Sequence, residues 1–433
     1  MIFRSRSIAR ECDHRGWLVL AVFALWGSLA SSAMAAPEDE PFRKTITSAV
    51  RSERVETLEI SSRSFPGVGT AAWSIRKRTL HGGKQEGVEL VDIDNGRLSI
   101  TVIPTRGMNI LEARQGDFRL GWLSPVQEVV HPQFIRLDAR GGLGWLEGFN
   151  ELLVRCGLEF AGHPGRDQFV DNTGAKSEMD LTLHGKIGNI PASEVEVLID
   201  RREPFRLRLR GVVYERSFYG PKLELATEVS TVPGSDSFRV EDTITNRGGQ
   251  DQEFEVIYHA NFGRPLLEPG AKVVAALDQL APMNVHASKA IDQYAVYAAP
   301  TPGFIEEVYL GHPRADAQGS TSILLRNAAG DRGASLSWST AELPYLTIWK
   351  NTAAEADGYV TGLEPGTSFP FNRRVERAGG RLPKLTPGQS RTFTINWGLH
   401  LSSEAVAEVE KRVASIQGGQ PPVLEHTPPE AAP

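Results

Sequence analysis

The sequence predicts an all-β protein: a large, twisted antiparallel β-sandwich with a short C-terminal helix. Apolar and polar residues alternate with period two over long stretches of the 433-residue chain. Clusters of Gly, Pro, Asn, Asp and Ser separate those stretches, and no helical pattern is interleaved with them. Period-two alternation buries one face of a strand and wets the other, as antiparallel sheets do. Long strand-rich runs without intervening helices argue for a sandwich over an α/β fold.

The strands follow in chain order. Residues 96–103 and 193–199 are predicted first. Phe205, Leu207 and Leu209 then alternate with Arg206, Arg208 and Arg210, so this arginine run, with Arg202, is the wet face of a strand. Leu223, Leu225, Thr227 and Val229 alternate with Lys222, Glu224, Ala226 and Glu228, and Phe238 and Val240 with Arg239 and Glu241. Turns fall between these runs at Tyr219-Gly220-Pro221, Pro233-Gly234-Ser235-Asp236 and Asn246-Arg247-Gly248-Gly249. Further strands are expected at 253–258, 321–326, 345–350 and 390–399. No internal repeat or linker interrupts residues 54–401, which read as one domain. Ser402 or Ser403 then caps a helix over 402–418 in which Val406, Val409, Val413 and Ile416 share a face. Residues 419–433, rich in Pro, Glu and Ala, read as a disordered tail.

At the other end, Arg4, Arg6, Arg10 and Arg15 precede an apolar run starting at Trp17, and Ala33-Met34-Ala35 follows. That is a signal-peptide pattern over residues 1–35, with 36–53 as a lead-in. It predicts export to the periplasm or beyond, with no stable membrane insertion once the leader is removed. The leader contains Cys12, which leaves Cys156 as a lone thiol, read as a small buried hydrophobe. The net charge is −6 with both signs interspersed. The sequence has no basic block, so a nucleic-acid partner is not expected.

Three segments carry possible chemistry. Thr361-Gly362-Leu363-Glu364-Pro365-Gly366 sets one carboxylate in a Gly/Pro frame that reads as a tight turn. Leu183-His184-Gly185 and Tyr258-His259-Ala260-Asn261-Phe262-Gly263 place histidines in similarly small, apolar surroundings. Each also has a plainer reading: a core histidine satisfied by backbone, or a carboxylate that stabilises a turn. His163, in His163-Pro164-Gly165, reads as a surface turn residue. His184, His259 and Glu364 together would make a two-His, one-carboxylate set. No local metal motif supports it, and no metal or cofactor is expected.

These segments, in this order, resemble the galactose mutarotase-like superfamily, which includes the aldose 1-epimerases. The resemblance is nearest to a branch usually labelled a domain of unknown function. It also rests on Pro104-Thr105-Arg106-Gly107-Met108-Asn109-Ile110, Gly144-Trp145-Leu146-Glu147-Gly148-Phe149-Asn150 and Arg155-Cys156-Gly157-Leu158. It implies a supersandwich and an isomerase acting on a free sugar or sugar acid. His259 matches the epimerases' general acid, Glu364 their general base, His184 their sugar-binding His and Arg155 the Arg upstream of it. Tyr258 stands where they have Asn, and Pro365-Gly366 follows the Glu where they have Thr and a polar residue.

Interconverting anomers takes a proton from the anomeric hydroxyl and gives one to the ring oxygen. This needs a base and an acid on opposite edges of the ring, within about 3 Å of their targets. Glu364 is expected to be ionised and His259 protonated, since a neighbouring carboxylate favours the imidazolium. Arg106, Arg155 and Arg373 are candidate ligands for hydroxyls or an anionic group, and Asn261 joins them as a substrate-binding candidate. Trp122, Trp145, Phe262, Trp349 and Phe371 are candidate walls. Two alternatives stay open: an isomerase or lyase acting on an oxidised sugar, and a non-catalytic carbohydrate-binding protein.

Overall fold

The structure, a computed structural model, describes residues 40–429. Two sheets, antiparallel except for one short parallel pair at an edge, face each other. The ten-stranded sheet is centred on the predicted alternating runs, now Leu207–Arg216, Lys222–Thr231, Ser237–Asn246 and Ser390–His400. Their registers place Leu209 across from Val229 and Val229 across from Val240, so one row of apolar residues faces inward. The thirteen-stranded sheet carries Tyr345–Thr352, Tyr359–Gly366, Glu255–Phe262 and Leu153–Leu158 side by side in that order. These four neighbours come from distant parts of the chain.

Apolar residues from the facing sides of both sheets form one core, in which Phe238 and Trp397 stack with ring centroids 5.2 Å apart. One buried ion pair interrupts it. Arg155 bonds Asp242 through two nitrogens and also reaches Thr227 Oγ1 at 2.8 Å, while the Tyr258 hydroxyl donates to Asp242 at 2.9 Å. Both partners are fully buried and well hydrogen-bonded, which is what makes such a pair tolerable.

The helix spans Ser403–Gln417, with the Ser402 hydroxyl accepting from the Ala405 N–H at 3.2 Å and Gly418 ending it at φ 67°. Val406, Val409 and Val413 pack beneath it on Leu324 and Ala276. Both ends of the domain extend beyond their expected bounds. The supposed lead-in supplies a strand, Phe42–Ser48, and the supposed disordered tail pairs Val423–Leu424 in parallel with Leu277–Pro282. The short runs are ordered because each completes the backbone hydrogen bonding of an otherwise open sheet edge. The signal-peptide segment lies outside the described residues. Among the described residues, no helix is long and apolar enough to cross a membrane.

Candidate active site

Glu364 does not sit in a turn. It lies within the Tyr359–Gly366 strand, which is buried throughout and flanked on both sides. Ile257 pairs with Gly366 and Ala260 with Leu363, so His259 stands directly opposite Glu364. Thr347 pairs with Glu364 from the other side, and Val154 with His259. One row across four strands therefore reads Val154, His259, Glu364, Thr347, all on the face turned away from the ten-stranded sheet. In the next row Gly362 lies between Trp349 and Asn261. A Cβ on Gly362 would come within 2.4 Å of Glu364 Oε1 and 3.2 Å of His259 Cε1. Gly362 is therefore the space into which the His–Glu pair fits.

His259 Nε2 lies 3.3 Å from Glu364 Oε1. Its Nδ1 lies 2.7 Å from Asn261 Oδ1. The Asn261 amide nitrogen donates to the Glu151 and His259 carbonyls, which fixes the side chain with its oxygen toward the ring. His259 Nδ1 therefore carries a proton, and Nε2 faces Glu364. His184 is held by its backbone N–H to Gly162 and by Nδ1 donating to the Ala161 carbonyl at 2.9 Å. This leaves its Nε2 as an acceptor. Its φ of 58° is costly for a non-glycine residue and orients the ring edge-on to Trp145 and His259.

Burial dominates the electrostatics. It pushes the Glu364 carboxyl well up, with a further push from Glu306. It drives the His259 imidazole well down, helped by His184 and opposed by Asn261. His184 falls to about 4 for the same first reason. These directions oppose the expected charged pair, because desolvation penalises both ions at once. Burial therefore favours the neutral imidazole and the neutral carboxyl, and Glu364 Oε1 makes no hydrogen bond within the protein.

These residues floor a cavity of about 320 Å³. Trp145, Phe149 and Trp349 form its aromatic walls, and Leu183, Val308 and Pro370 line it between them. Leu146, His163 and Glu306 are exposed at its mouth, where Glu306 accepts the Trp349 indole N–H at 2.8 Å.

Of the expected residues, the structure brings His184, His259 and Glu364 into the cavity and places Asn261 behind His259. It does not bring the three arginines there. Arg155 alternates with Val154 and Cys156 along its strand, so strand parity sends it into the core. Arg106 is fully buried, bonding the Gly148 carbonyl at 2.6 Å and Glu151 at 2.8 Å, and so fastens the Trp145–Phe149 segment from behind. Arg373 reaches Glu253 at 3.3 Å and Asp167 at 3.7 Å, outside the cavity lining. Trp145 and Trp349 are walls, whereas Trp122, Phe262 and Phe371 do not line the cavity. Cys156 is fully buried. Sequence reasoning missed Thr347, Phe149 and Glu306, and took His163 for a surface turn with no role. Thr347 was within reach, since it falls on the same parity of the predicted 345–350 strand as Trp349. Among the described residues, no three His, Cys, Asp or Glu side chains are arranged to hold a metal ion.

The pairing of a ten- and a thirteen-stranded sheet is a carbohydrate-epimerase type of fold, shared with solved structures described as a putative aldose 1-epimerase and as a galactose mutarotase-like protein. The chain belongs to the family described as Domain of unknown function (DUF4432), whose model matches residues 85–399. A solved structure from Klebsiella pneumoniae subsp. pneumoniae, described as a putative aldose 1-epimerase, is 42% identical, with a TM-score of 0.84, covering 90% of this chain and 99% of its own. A galactose mutarotase-like protein from Clostridium acetobutylicum is 15% identical, with a TM-score of 0.53 over 74% of this chain and 97% of its own, and shares the fold. No curated protein matches the chain.

Proposed function

We propose that the protein is an aldose 1-epimerase-type isomerase that opens and recloses the ring of a free sugar, with Glu364 and His259 as the proton-exchanging pair. The contact at 3.3 Å between His259 Nε2 and Glu364 Oε1, on the floor of the cavity, carries this reading. This revises the expectation of a base and an acid on opposite edges of the ring: the two oxygens that exchange protons in mutarotation sit on one carbon, so neighbouring groups can serve both. In the ion-pair form of the couple, Glu364 takes the anomeric hydroxyl proton while His259 gives its Nε2 proton to the ring oxygen. The C1–O5 bond breaks, a C1 carbonyl forms, the aldehyde end rotates, and closure reverses each transfer. The couple holds one proton throughout, so the ion-pair form is one proton shift from the neutral pair that burial favours. Asn261 keeps Nδ1 protonated and so keeps Nε2 available. His184 and Thr347 are placed to receive other hydroxyls.

The reading of an oxidised sugar as substrate loses support, because all three arginines that favoured it are engaged with carboxylates elsewhere. A purely binding protein would not need a paired acid and base on its floor. We also propose export through the amino-terminal leader, which a mature chain beginning at Ala36 or Pro37 would support. Anomer exchange followed by NMR over a panel of sugars tests the main reading. Glu364→Gln and His259→Asn should each slow exchange by about 10²–10⁴-fold. Unchanged exchange in both variants would overturn it.

A further inference from the structure

Below the mouth, where Glu306 and His163 stand, the cavity is poor in partners for hydroxyl groups. His259 and Glu364 serve the reacting oxygens. The buried floor then offers His184 Nε2, the Thr347 hydroxyl and the Trp145 indole N–H, and the last two have no hydrogen-bond partner in the protein. An aldohexose ring brings four further hydroxyls, each both donor and acceptor. The rest of the buried lining is apolar, with Leu183, Val308 and Pro370 between the aromatic walls. A hydroxyl pressed against those side chains loses water and gains nothing, at about tenfold in affinity or more. A methyl group in the same place gains instead. No Lys or Arg lines the cavity, so a carboxylate or phosphate on the sugar has no counter-charge there, and the Glu306 carboxylate at the mouth would repel it. At about 320 Å³ the volume suits one ring and little more.

We propose that the substrate class is the neutral 6-deoxy aldoses, with the C6 methyl seated against the aliphatic wall that includes Val308. This inference rests on the mutarotase-type reading of the same site, but its binding half can be tested apart from it. Three matched pairs differ only by the C6 hydroxyl: D-fucose with D-galactose, D-quinovose with D-glucose, and L-rhamnose with L-mannose. Trp145 and Trp349 line the cavity, so their fluorescence reports binding in the wild type and in Glu364→Gln, where no turnover is needed. In at least one pair the deoxy sugar should bind about tenfold tighter or more, and its exchange kcat/KM should exceed its partner's by a similar factor. Val308→Thr, which exchanges a methyl for a hydroxyl at nearly constant volume, should cut that preference severalfold. Deoxy-selective binding without exchange would sustain this inference and overturn the proposed reaction. Exchange or binding that favours the parent hexose in all three pairs, or a preference untouched by Val308→Thr, would overturn the inference and leave the reaction standing.

Discussion

Gly362→Ala tests the His259–Glu364 couple without removing either member. The new Cβ would lie 2.4 Å from Glu364 Oε1, 3.2 Å from His259 Cε1 and 3.2 Å from the Trp349 ring. Carboxylate oxygen and methyl carbon separate to about 3.4 Å in ordinary contact, so the Glu364 head must move by about 1 Å, and a displacement of that size costs roughly 10²-fold in rate. Gly362 does not occupy the left-handed region, so the backbone accepts alanine and the strain comes from the side-chain overlap. Overpacking of this kind costs about 1–3 kcal/mol of stability, a few degrees in Tm for a domain of this size. Exchange measured by saturation-transfer NMR should therefore fall about 100-fold while the protein stays folded at 25 °C. Gly249→Ala is the control, since a Cβ there meets nothing within 4 Å. A Gly362→Ala enzyme within twofold of wild type would refute the view that the carboxylate's position against His259 limits the reaction.

Three further outcomes follow from the same geometry. Asn261→Ala frees the His259 tautomer and should lower kcat by about 10–100-fold with little change in KM, whereas Asn261→Asp puts a carboxylate on Nδ1 and should move the acid limb of the pH–rate profile upward; an unchanged profile would remove Asn261 from its positioning role. In the wild type, the one-proton couple is lost on the acid side when His259 gains a second proton and on the alkaline side when Glu364 loses its own. Burial lowers the first pKa and raises the second, so kcat should be flat through neutrality, with an acid limb well below pH 6.5; a limb at 6.5 would contradict this. Arg155→Ala leaves Asp242 charged, buried and unpaired, so it should cost about 3–5 kcal/mol in denaturant unfolding, and Asp242→Asn should cost a similar amount because it leaves Arg155 charged, buried and without a counter-ion.

What could be read from the chain follows how each strand is buried. Strands with one wet face, such as Leu207–Arg216 and Lys222–Thr231, were legible because their alternation is written in residue type. Leu153–Leu158, Glu255–Phe262 and Tyr359–Gly366 are buried on both faces, and the last two carry the paired histidine and carboxylate. Without a wet face they have no alternation to read: the strand expected at 253–258 caught only the first half of Glu255–Phe262, Leu153–Leu158 was not expected, and Gly362, Pro365 and Gly366 looked like a turn. In the structure those residues serve close approach. Gly362 makes room for the carboxylate, and a Cβ on Gly366 would meet Ile257 Cγ1 at 2.9 Å. Pro365, lacking an N–H, sits where the ladder to the neighbouring strand is interrupted between Ile257 and Ala260.

The arginines show the limit of resemblance as a guide to role. Arg155 occupies a matching place in the sequence, but its parity on the strand turns it toward Asp242 and Tyr258 and away from the cavity. Tyr258 is the residue before His259, and the two point to opposite faces of the same strand. The buried Arg155–Asp242–Tyr258 network thus grips, from the core side, the strand that presents His259 to the cavity, and Asn261 grips the imidazole from the cavity side. A histidine driven toward its neutral form by burial contributes nothing to binding through charge. Its value lies in holding one lone pair 3.3 Å from one carboxyl oxygen, and that separation depends on the strand being fixed from both faces.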